Sequence, residues 1–161
     1  MRVGTGYDLH RLGADRPLRL GGVEIPGSPG LVGHSDADCV LHAITDALLG
    51  AAGLNLDIGA LFPDTDPAYK DADSALLLTE ALRRVTEAGF AVVNVDCTVL
   101  AERPKIGPHR GAMRERISGL LGVGPDRVGV KATTMEGLGA IGRAEAIACQ
   151  ASCLLTRENH R

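Results

Sequence analysis

Three side chains in the N-terminal part of the chain have the types and spacing of a zinc site. Asp8 and His10 are two residues apart near the predicted end of a strand, so their side chains leave it on the same side. His42 lies in the helix predicted to follow. One carboxylate and two imidazoles, with a fourth position open, are typical of catalytic zinc. The alternative is that Asp8 caps a turn and His42 is a hydrogen-bonded core histidine.

A second group of candidate residues opens that helix. Residues 33–38 place backbone N–H groups and the positive end of a helix dipole beside His34 and Ser35, which is the arrangement of an anion site. We therefore predict that a phosphate binds here. A hydrolase would instead use Ser35 as nucleophile and His34 as base, although the segment does not match G-x-S-x-G. The simplest alternative is that Ser35 only caps the helix.

Two polar segments follow predicted strands in the second half of the chain. Residues 131–137 offer backbone amides, two threonine hydroxyls and Glu136, whose carboxylate suits a hard cation such as Mg²⁺. The segment lacks a Walker sequence, so it does not imply ATP turnover. Residues 101–107 are a second strand exit with unpaired backbone groups. Taken alone, each segment is also explained as an ordinary polar turn.

The elements that must position these residues alternate without a strict βαβ rhythm, which favours an α+β fold with a mixed sheet covered by helices. Helices are expected from Ser35 to Gly53, with Asp36 and Asp38 in the first turn, and over 73–88 and 108–121. The other predicted elements are strands over 2–8, 90–100, 127–132 and 144–155, a hairpin over 18–25 around Gly21-Gly22, and loops over 26–33 and 54–70.

Composition excludes some classes of protein. Aromatic residues make up 2% of the 161 residues, so nucleic-acid binders that stack bases on exposed rings are not expected. Residues 1–73 contain five basic and eleven acidic side chains, and ten of the acidic ones are aspartate. Residues 74–161 contain twelve basic and nine acidic side chains. An acidic half beside a mildly basic half suits a metal-chelated, phosphorylated small molecule. Uneven scatter of surface charge is the alternative.

Cysteine placement and hydropathy indicate the expected location. Cys39, Cys97 and Cys149 sit in apolar runs and are predicted to be buried thiols, and the chain has no C-x-x-C pair. No targeting segment is recognisable at the start, and no apolar run is long enough to span a membrane. We expect a cytoplasmic protein with no nucleic-acid or membrane partner.

Six segments spread over the chain form a specific combination. They are G-T-G-Y-D-L-H at 4–10, G-H-S-D-A-D-C-V-L-H-A-I-T-D-A-L-L-G-A-A at 33–52, D-I-G-A-L-F-P-D-T-D-P at 57–67, N-V-D-C-T-V-L-A-E-R-P-K at 94–105, V-K-A-T-T at 130–134 and G-R-A-E-A-I-A-C at 142–149. Together they resemble the 2-C-methyl-D-erythritol 2,4-cyclodiphosphate synthase family. The resemblance covers essentially the whole chain and implies a single domain over 1–161.

The resemblance implies a homotrimer of α+β subunits with active sites between adjacent subunits. The implied substrate is 4-diphosphocytidyl-2-C-methyl-D-erythritol 2-phosphate, a cytidine diphosphate compound. Its 2-phosphate would attack the β-phosphorus, CMP would leave, and a cyclic diphosphate would form on the non-mevalonate isoprenoid route. Because the nucleophile is already an anion, no strong base is needed. The enzyme must instead bring two repelling anions into line, which divalent cations and oriented dipoles achieve.

The resemblance also assigns metal and catalytic roles. Asp8, His10 and His42 would hold Zn²⁺, with a substrate phosphate oxygen in the open position. His34 and Thr134 would stabilise the transition state. A second ion, Mg²⁺ or Mn²⁺, would bridge the substrate phosphates and be bound by a carboxylate in the second half of the chain.

The implied substrate-binding residues come from several parts of the chain. They are Asp8, His10, His34 and Ser35 at the phosphates, Asp57 and Gly59 at the methylerythritol or ribose hydroxyls with Ile58, Phe62, Asp64 and Asp66 beside them, Ala101, Pro104, Lys105, Ile106 and Gly107 at the cytosine, Thr133 and Thr134 at the diphosphate with Ala132 and Glu136 beside them, and Arg143, which corresponds to an arginine near the trimer axis in some members. Glu136 would be the ligand of the second ion. Ala140 and Gln150 stand where some members carry an aromatic residue and a glutamate near a cavity on the trimer axis.

Two other functions remain open at this stage. A zinc phosphohydrolase would use the same Asp8, His10 and His42 to activate water. A trimeric nucleotide-binding module would bind cytidine without turnover. The absence of an obvious pair of nucleophile and base favours cyclisation over hydrolysis.

Overall fold

A computed structural model describes residues 1–158 of the chain, so the last three residues of the domain expected over 1–161 lie outside the described part. The strands within it are β1 (Arg2–Leu20), β2 (Val23–Leu31), β3 (Phe90–Leu100), β4 (Val128–Thr133) and β5 (Ala146–Arg157). The helices are α1 (Cys39–Ala52), α2 (Ile58–Leu61), α3 (Ser74–Glu87), α4 (Arg110–Leu121) and α5 (Gly139–Gly142), with 3-10 turns at Pro67–Tyr69, Gly107–His109 and Pro125–Arg127. In residues 1–158, every helix is too short or too polar to cross a membrane.

The five described strands form one mixed sheet in the order β2-β1-β5-β3-β4. Strand β1 runs antiparallel to β2 and β5, β5 runs antiparallel to β3, and β3 is parallel to β4. Strand β1 changes partner along its length: it pairs with β5 as far as Arg11 and with β2 from Leu12. The predicted α+β class with a mixed sheet is confirmed.

Two glycines of β1 let helix α1 lie directly on the sheet. A Cβ atom at Gly4 would be 2.0 Å from the Ala47 carbonyl oxygen, and one at Gly6 would be 2.0 Å from that of Ala43. No side chain larger than hydrogen fits at either position. Because the next inward-facing residue of β1 is Asp8, this close approach brings the His42 side chain of α1 next to it.

The core lies between α1, α3, α4 and one face of the sheet, and it is built almost entirely from aliphatic side chains. Phe90, at 4% exposure, is the one Phe or Tyr side chain that is buried among the described residues. All four cysteines are buried and free, as predicted for Cys39, Cys97 and Cys149. The opposite face of β1 carries exposed apolar side chains, Val3, Tyr7 and Leu9, at 71%, 56% and 46%.

The prediction of a strand over 2–8 followed by a loop over 26–33 was wrong in extent. Strand β1 continues to Leu20 because β2 supplies a second partner, and the Pro- and Gly-rich residues of that loop belong to β2. The register between the two strands shifts at three places, which accommodates the prolines. The hairpin at Gly21-Gly22 is confirmed, with φ values of 62° and 73° that favour glycine. Asp8 and His10 therefore lie within a strand rather than at its end.

The predicted start of α1 at Ser35 was also wrong, because Asp38 caps the helix. Asp38 is fully buried, and its Oδ1 accepts hydrogen bonds from the backbone N–H groups of Val40 and Leu41, each at 3.1 Å. The same carboxylate accepts from Gly21 at 2.8 Å and from Gly22 at 2.6 Å. Two N–H groups in the first turn of the helix are thus taken by a carboxylate of the chain itself. The helix-dipole argument for a phosphate site at this end does not apply.

Two smaller differences concern the connections. The loop predicted over 54–70 contains α2 and the 3-10 turn Pro67–Tyr69, each capped by an aspartate. Helix α4 begins at Arg110, after a 3-10 turn, rather than at Pro108. The other predicted helix and strands agree with the structure to within two residues at each end.

Candidate functional site

Strand β1 and helix α1 bring Asp8, His10 and His42 together. His42 Nδ1 lies 3.0 Å from Asp8 Oδ2, His10 Nε2 lies 2.9 Å from the same oxygen, and the two ring nitrogens are 3.3 Å apart. The side chains meet because residues 8 and 10 face the same side of β1 and Gly6 lets α1 approach. The interpretation of Asp8 as a turn cap is wrong.

The spacing of these three atoms fits a tetrahedral metal ion. Ligands at about 2.0–2.1 Å from zinc in a tetrahedron lie roughly 3.4 Å from one another. The three observed separations, 2.9, 3.0 and 3.3 Å, are slightly shorter, as expected when hydrogen bonds join the atoms. One carboxylate oxygen and two imidazole nitrogens also form a typical zinc donor set, so the residues fit the ion.

The electrostatics of the triad also suit a cation. Burial acts to raise the pKa of Asp8, but hydrogen bonds from His10 and His42 outweigh it and hold that pKa well below its ordinary value. Burial lowers the pKa of His10, whereas the hydrogen bond to Asp8 raises it, and the net direction is upward. An ionised carboxylate thus attracts positive charge to this point, whether as a proton or as a metal ion.

The far sides of both imidazole rings are hydrogen-bonded as well. His10 Nδ1 lies 2.9 Å from the carbonyl oxygen of Val32. His42 Nε2 lies 2.8 Å from Ser74 Oγ and 3.2 Å from Ser35 Oγ. A histidine that binds metal through one nitrogen commonly uses the other in this way, which fixes its ring.

A cavity of about 300 Å³ opens over the triad. Its walls include several of the predicted site residues. The lining residues are His10, Gly33, His34, Ser35, His42, Ile58, Gly59, Phe62, Asp64, Tyr69 and Leu77. The rings of Phe62 and Tyr69 pack edge to face with centroids 5.3 Å apart on one side of the opening. The cavity therefore combines a polar floor with a mostly apolar wall.

His34 and Ser35 lie at this cavity although the helix does not begin at them. The His34 ring nitrogen Nε2 is 3.1 Å from the carbonyl oxygen of Asp66. Ser35 Oγ accepts from the backbone N–H of Ala37 at 3.2 Å, and its side chain contacts His42 rather than a helix end. The segment before α1 is thus a loop that places two polar side chains beside the triad.

Arg16 holds that loop in place. Its guanidinium donates to the carbonyl oxygens of Leu31 at 2.6 and 2.8 Å, of Gly33 at 3.2 Å and of Ser35 at 2.7 Å. It also lies 3.6 Å from a carboxylate oxygen of Asp71. Three carbonyl groups are satisfied by one planar side chain, so the conformation of the loop is fixed from the outside.

Asp57 and Asp66 use their carboxylates to cap short helical turns. Asp57 Oδ1 accepts from Ala60 at 2.7 Å, and Asp57 lines a different cavity together with Gly50 and Gly53 at the end of α1. Asp66 Oδ1 accepts from Ala68 at 2.9 Å. In the single chain neither carboxylate lines the cavity over the triad, and their contacts with a sugar remain predictions.

A second cavity, of about 500 Å³, lies where β3 and β4 end. The parallel pairing of these strands brings their carboxyl ends together, so the two polar segments predicted separately meet here. It is lined by Ala101, Glu102, Pro104, Lys105, Ile106, Gly107, Pro108, Ala132, Thr133 and Thr134. This cavity shares no lining residue with the cavity over the triad. Within one chain, His34 and Thr134 therefore line different cavities.

Glu136 and Arg143 line neither of these two cavities. Glu136 comes two residues after Thr134, which lines the second cavity. Its carboxylate is exposed, and its Oε1 lies 3.5 Å from Thr134 Oγ1. Arg143 is exposed and donates to Glu145 at 2.8 Å. The predicted contact of Arg143 with substrate remains a prediction.

Sequence reasoning missed several residues that shape the site. Arg16 and Ser74 received no role in the predicted site, although Arg16 contacts the loop before α1 and Ser74 contacts His42. Asp46 accepts a hydrogen bond from the Ile58 backbone at 2.8 Å and so anchors α2, and Leu77 completes the cavity wall. Each contact joins separate elements, and no local periodicity signals it.

Comparison with known proteins places the chain among relatives of similar length. It matches the family model described as the YgbB family over residues 1–156. The 2-C-methyl-D-erythritol 2,4-cyclodiphosphate synthase of Laribacter hongkongensis is 59% identical over 155 residues, which are 96% of this chain and 95% of the relative.

Solved structures share the fold. A structure of 2C-methyl-D-erythritol-2,4-cyclodiphosphate synthase in a CDP-bound form superimposes with a TM-score of 0.88 at 43% identity, covering 96% of this chain and 100% of the other. The CDP complex of IspF from Plasmodium falciparum gives a TM-score of 0.84 at 38% identity. The match covers 98% of this chain and 97% of the other. Both chains are therefore similar to this one over almost their whole length.

Proposed function

The chain belongs to the YgbB family, and we propose that it performs the cyclisation reaction with the two cavities described above. It is a cyclodiphosphate synthase, producing 2-C-methyl-D-erythritol 2,4-cyclodiphosphate in isoprenoid biosynthesis. The observation that carries the proposed mechanism is the convergence of Asp8, His10 and His42, of which the two histidines line a cavity.

The proposed substrate is 4-diphosphocytidyl-2-C-methyl-D-erythritol 2-phosphate. An oxygen of its 2-phosphate forms a bond to the β-phosphorus, and the bond from that phosphorus to the bridging oxygen breaks. CMP leaves with the bridging oxygen, and no water enters the product. Because the attacking group is ionised at neutral pH, the protein's task is to hold the two phosphorus centres in line against their repulsion.

Asp8, His10 and His42 would hold Zn²⁺ through Oδ2, Nε2 and Nδ1, the atoms that converge in the structure. When bound, the zinc ion would polarise a phosphate oxygen and neutralise its charge. The chain itself contributes an ionised carboxylate and two fixed rings, so little reorganisation is needed to receive the ion.

His34 and Ser35 would donate hydrogen bonds to a phosphate over the triad. Ser35 Oγ accepts from Ala37 and lies beside the nitrogen of His42, so its proton is directed away from both, into the cavity. The residues above them, Ile58, Gly59, Phe62 and Asp64, would face the methylerythritol.

The cavity at the ends of β3 and β4 would receive the cytidine and the diphosphate. Exposed groups of 101–107 would bind the cytosine, which fits the low aromatic content because backbone groups replace stacking rings. Thr133 and Thr134 would donate hydroxyls to the diphosphate. Glu136, with the Thr134 hydroxyl at 3.5 Å, presents hard oxygen ligands, and Mg²⁺ or Mn²⁺ is commonly held by one carboxylate together with substrate phosphates.

We propose that each active site combines the triad cavity of one chain with the cytidine cavity of another, in a homotrimer. Two observations support this. The two cavities share no residue within one chain, although the substrate must touch both. The sheet face opposite the helices exposes Val3, Tyr7 and Leu9, side chains that a neighbouring copy would bury.

Co-expression of two inactive variants tests this sharing. His42→Ala lacks a zinc ligand and Thr134→Ala lacks a hydroxyl at the diphosphate, so each homo-oligomer is expected to be inactive or nearly so. Mixed oligomers contain some sites with an intact His42 from one chain and an intact Thr134 from its neighbour. Turnover above the level of either variant is therefore expected in the purified mixed oligomer. If the mixed oligomer stays as inactive as the separate variants, both residues act in the same chain.

The reaction itself is tested with the proposed substrate in ¹⁸O-water. Intramolecular attack yields cyclic diphosphate and CMP that both lack label, because no water oxygen enters either product. Mass spectrometry of both products measures this. Label in CMP or in a methylerythritol bisphosphate would indicate hydrolysis, and cytidine binding without turnover would indicate a binding module.

A further inference from the structure

A chain of hydrogen bonds leads from the predicted zinc ligand His42 to a carboxylate outside the triad. His42 Nε2 lies 2.8 Å from Ser74 Oγ, and that hydroxyl donates in turn to Asp36 Oδ1. The Ser74 side chain is fully buried and His42 is 8% exposed. Neither Asp36 nor Ser74 has a role in the reaction described above.

The direction of these hydrogen bonds follows from the acceptors present. An ionised carboxylate accepts only, and the oxygens of Asp36 receive the backbone N–H of Asp38 at 3.2 Å and that of Ser74 at 3.3 Å. Ser74 has one hydroxyl proton and gives it to Asp36. Its oxygen therefore accepts from His42, which must carry its proton on Nε2. When the ion is bound, Nδ1 no longer carries the proton that it shares with Asp8 in the metal-free chain, and its lone pair faces the point between Asp8 and His10.

We infer that Asp36 and Ser74 are positioning residues of the metal site. They hold His42 in the tautomer with Nε2 protonated and fix its ring so that Nδ1 points at the ion. This rests on the zinc site of the proposed function and adds to it a determinant of metal affinity. Mutation of a residue that hydrogen-bonds to a metal ligand typically lowers the affinity for the metal by about 10–100-fold.

The Ser74 hydroxyl does not cap α3. Ser74 is the first residue of α3, but the cap of that helix is Asp73, whose side chain accepts from Ala75 at 2.8 Å. Ser35 is a weaker partner for His42, because it lies farther away, at 3.2 Å, and also accepts from Ala37. Alanine at position 74 removes one hydroxyl and leaves the helix start intact.

Titration of metal-free protein with Co²⁺, followed by Zn²⁺ competition, tests the inference. Ser74→Ala and Asp36→Ala are each expected to weaken Co²⁺ binding by about 10–100-fold and to change the visible absorption of the bound ion. The double variant should bind Co²⁺ about as well as the single variant with the lower affinity, since Asp36 acts through Ser74. Asp36→Asn, whose amide oxygen still accepts from Ser74, should retain more affinity than Asp36→Ala.

The matched control is Ser118→Ala, another buried serine, whose hydroxyl donates within α4 at 2.9 Å. It should bind Co²⁺ like the wild type. Wild-type affinity in Ser74→Ala, or additive losses in the double variant, would overturn the inference. A wild-type protein that binds neither Co²⁺ nor Zn²⁺ would instead overturn the zinc site of the proposed function.

A measurement on the unchanged protein covers the case in which a variant does not fold. In the Zn²⁺-loaded wild type, a long-range ¹H–¹⁵N spectrum should show an Nε2 proton of His42 that exchanges slowly with water, because it is buried and bonded to Ser74. An Nε2 without a protected proton would contradict the inference.

Discussion

Replacing His42 with alanine is expected to remove both bound zinc and turnover while the chain stays folded. His42 is the one member of the proposed zinc triad on α1, and the two members left on β1 would bind the ion much more weakly. Loss of the charge neutralisation worth several kcal/mol lowers kcat/KM by about a thousandfold or more. Elemental analysis of the purified protein and steady-state turnover measure the two effects.

The fold should survive this change, because Ser74 keeps its hydrogen bonds to Asp36 and the buried aliphatic side chains of α1 are unchanged. The oligomeric state should likewise be unchanged in light scattering. His109→Ala, which alters a histidine outside the triad, should keep its zinc. Full zinc occupancy in His42→Ala would refute the assignment of the ligands.

Replacing Gly6 with alanine is expected to destabilise the protein by about 3 kcal/mol or more, the upper range for forcing atoms into a packed core. The added Cβ would lie 2.0 Å from the Ala43 carbonyl oxygen and 2.9 Å from the Ala47 nitrogen. These are backbone atoms that no rotamer change moves, so α1 must shift away from β1. Because His42 precedes Ala43, metal affinity should fall as well. Urea unfolding and Co²⁺ titration measure both effects.

Gly119 provides the matched control for Gly6. It lies inside α4, and a Cβ there meets nothing within 4 Å. Gly119→Ala should therefore raise stability by about 0.5–1 kcal/mol, the helix propensity difference. If Gly6→Ala leaves both stability and metal affinity near wild type, the close approach of α1 to β1 is not what positions His42.

Local patterns predicted the elements well where one face is buried against the core. The apolar stripe of α3 and the β-branched run of β3 gave boundaries close to the observed ones, since period and propensity act within each element. Prediction failed at the start of α1. Asp38 there caps the helix and also binds the Gly21-Gly22 turn, a partner remote in sequence. It failed again at β1, whose length depends on pairing with β2.

The family and the candidate metal ligands follow from residue identity alone, because motifs such as those at 4–10 and 33–52 contain the residue types that the chemistry requires. The contacts of Arg16, Asp36 and Ser74 with the site are visible only in the folded chain, as is the placement of His10 and His42 at one cavity and of Thr133 and Thr134 at another. The physical reason is that these contacts join residues from different elements. Their geometry depends on how closely α1 packs against β1 at Gly6. Residue spacing along the chain does not specify this distance between helix and strand.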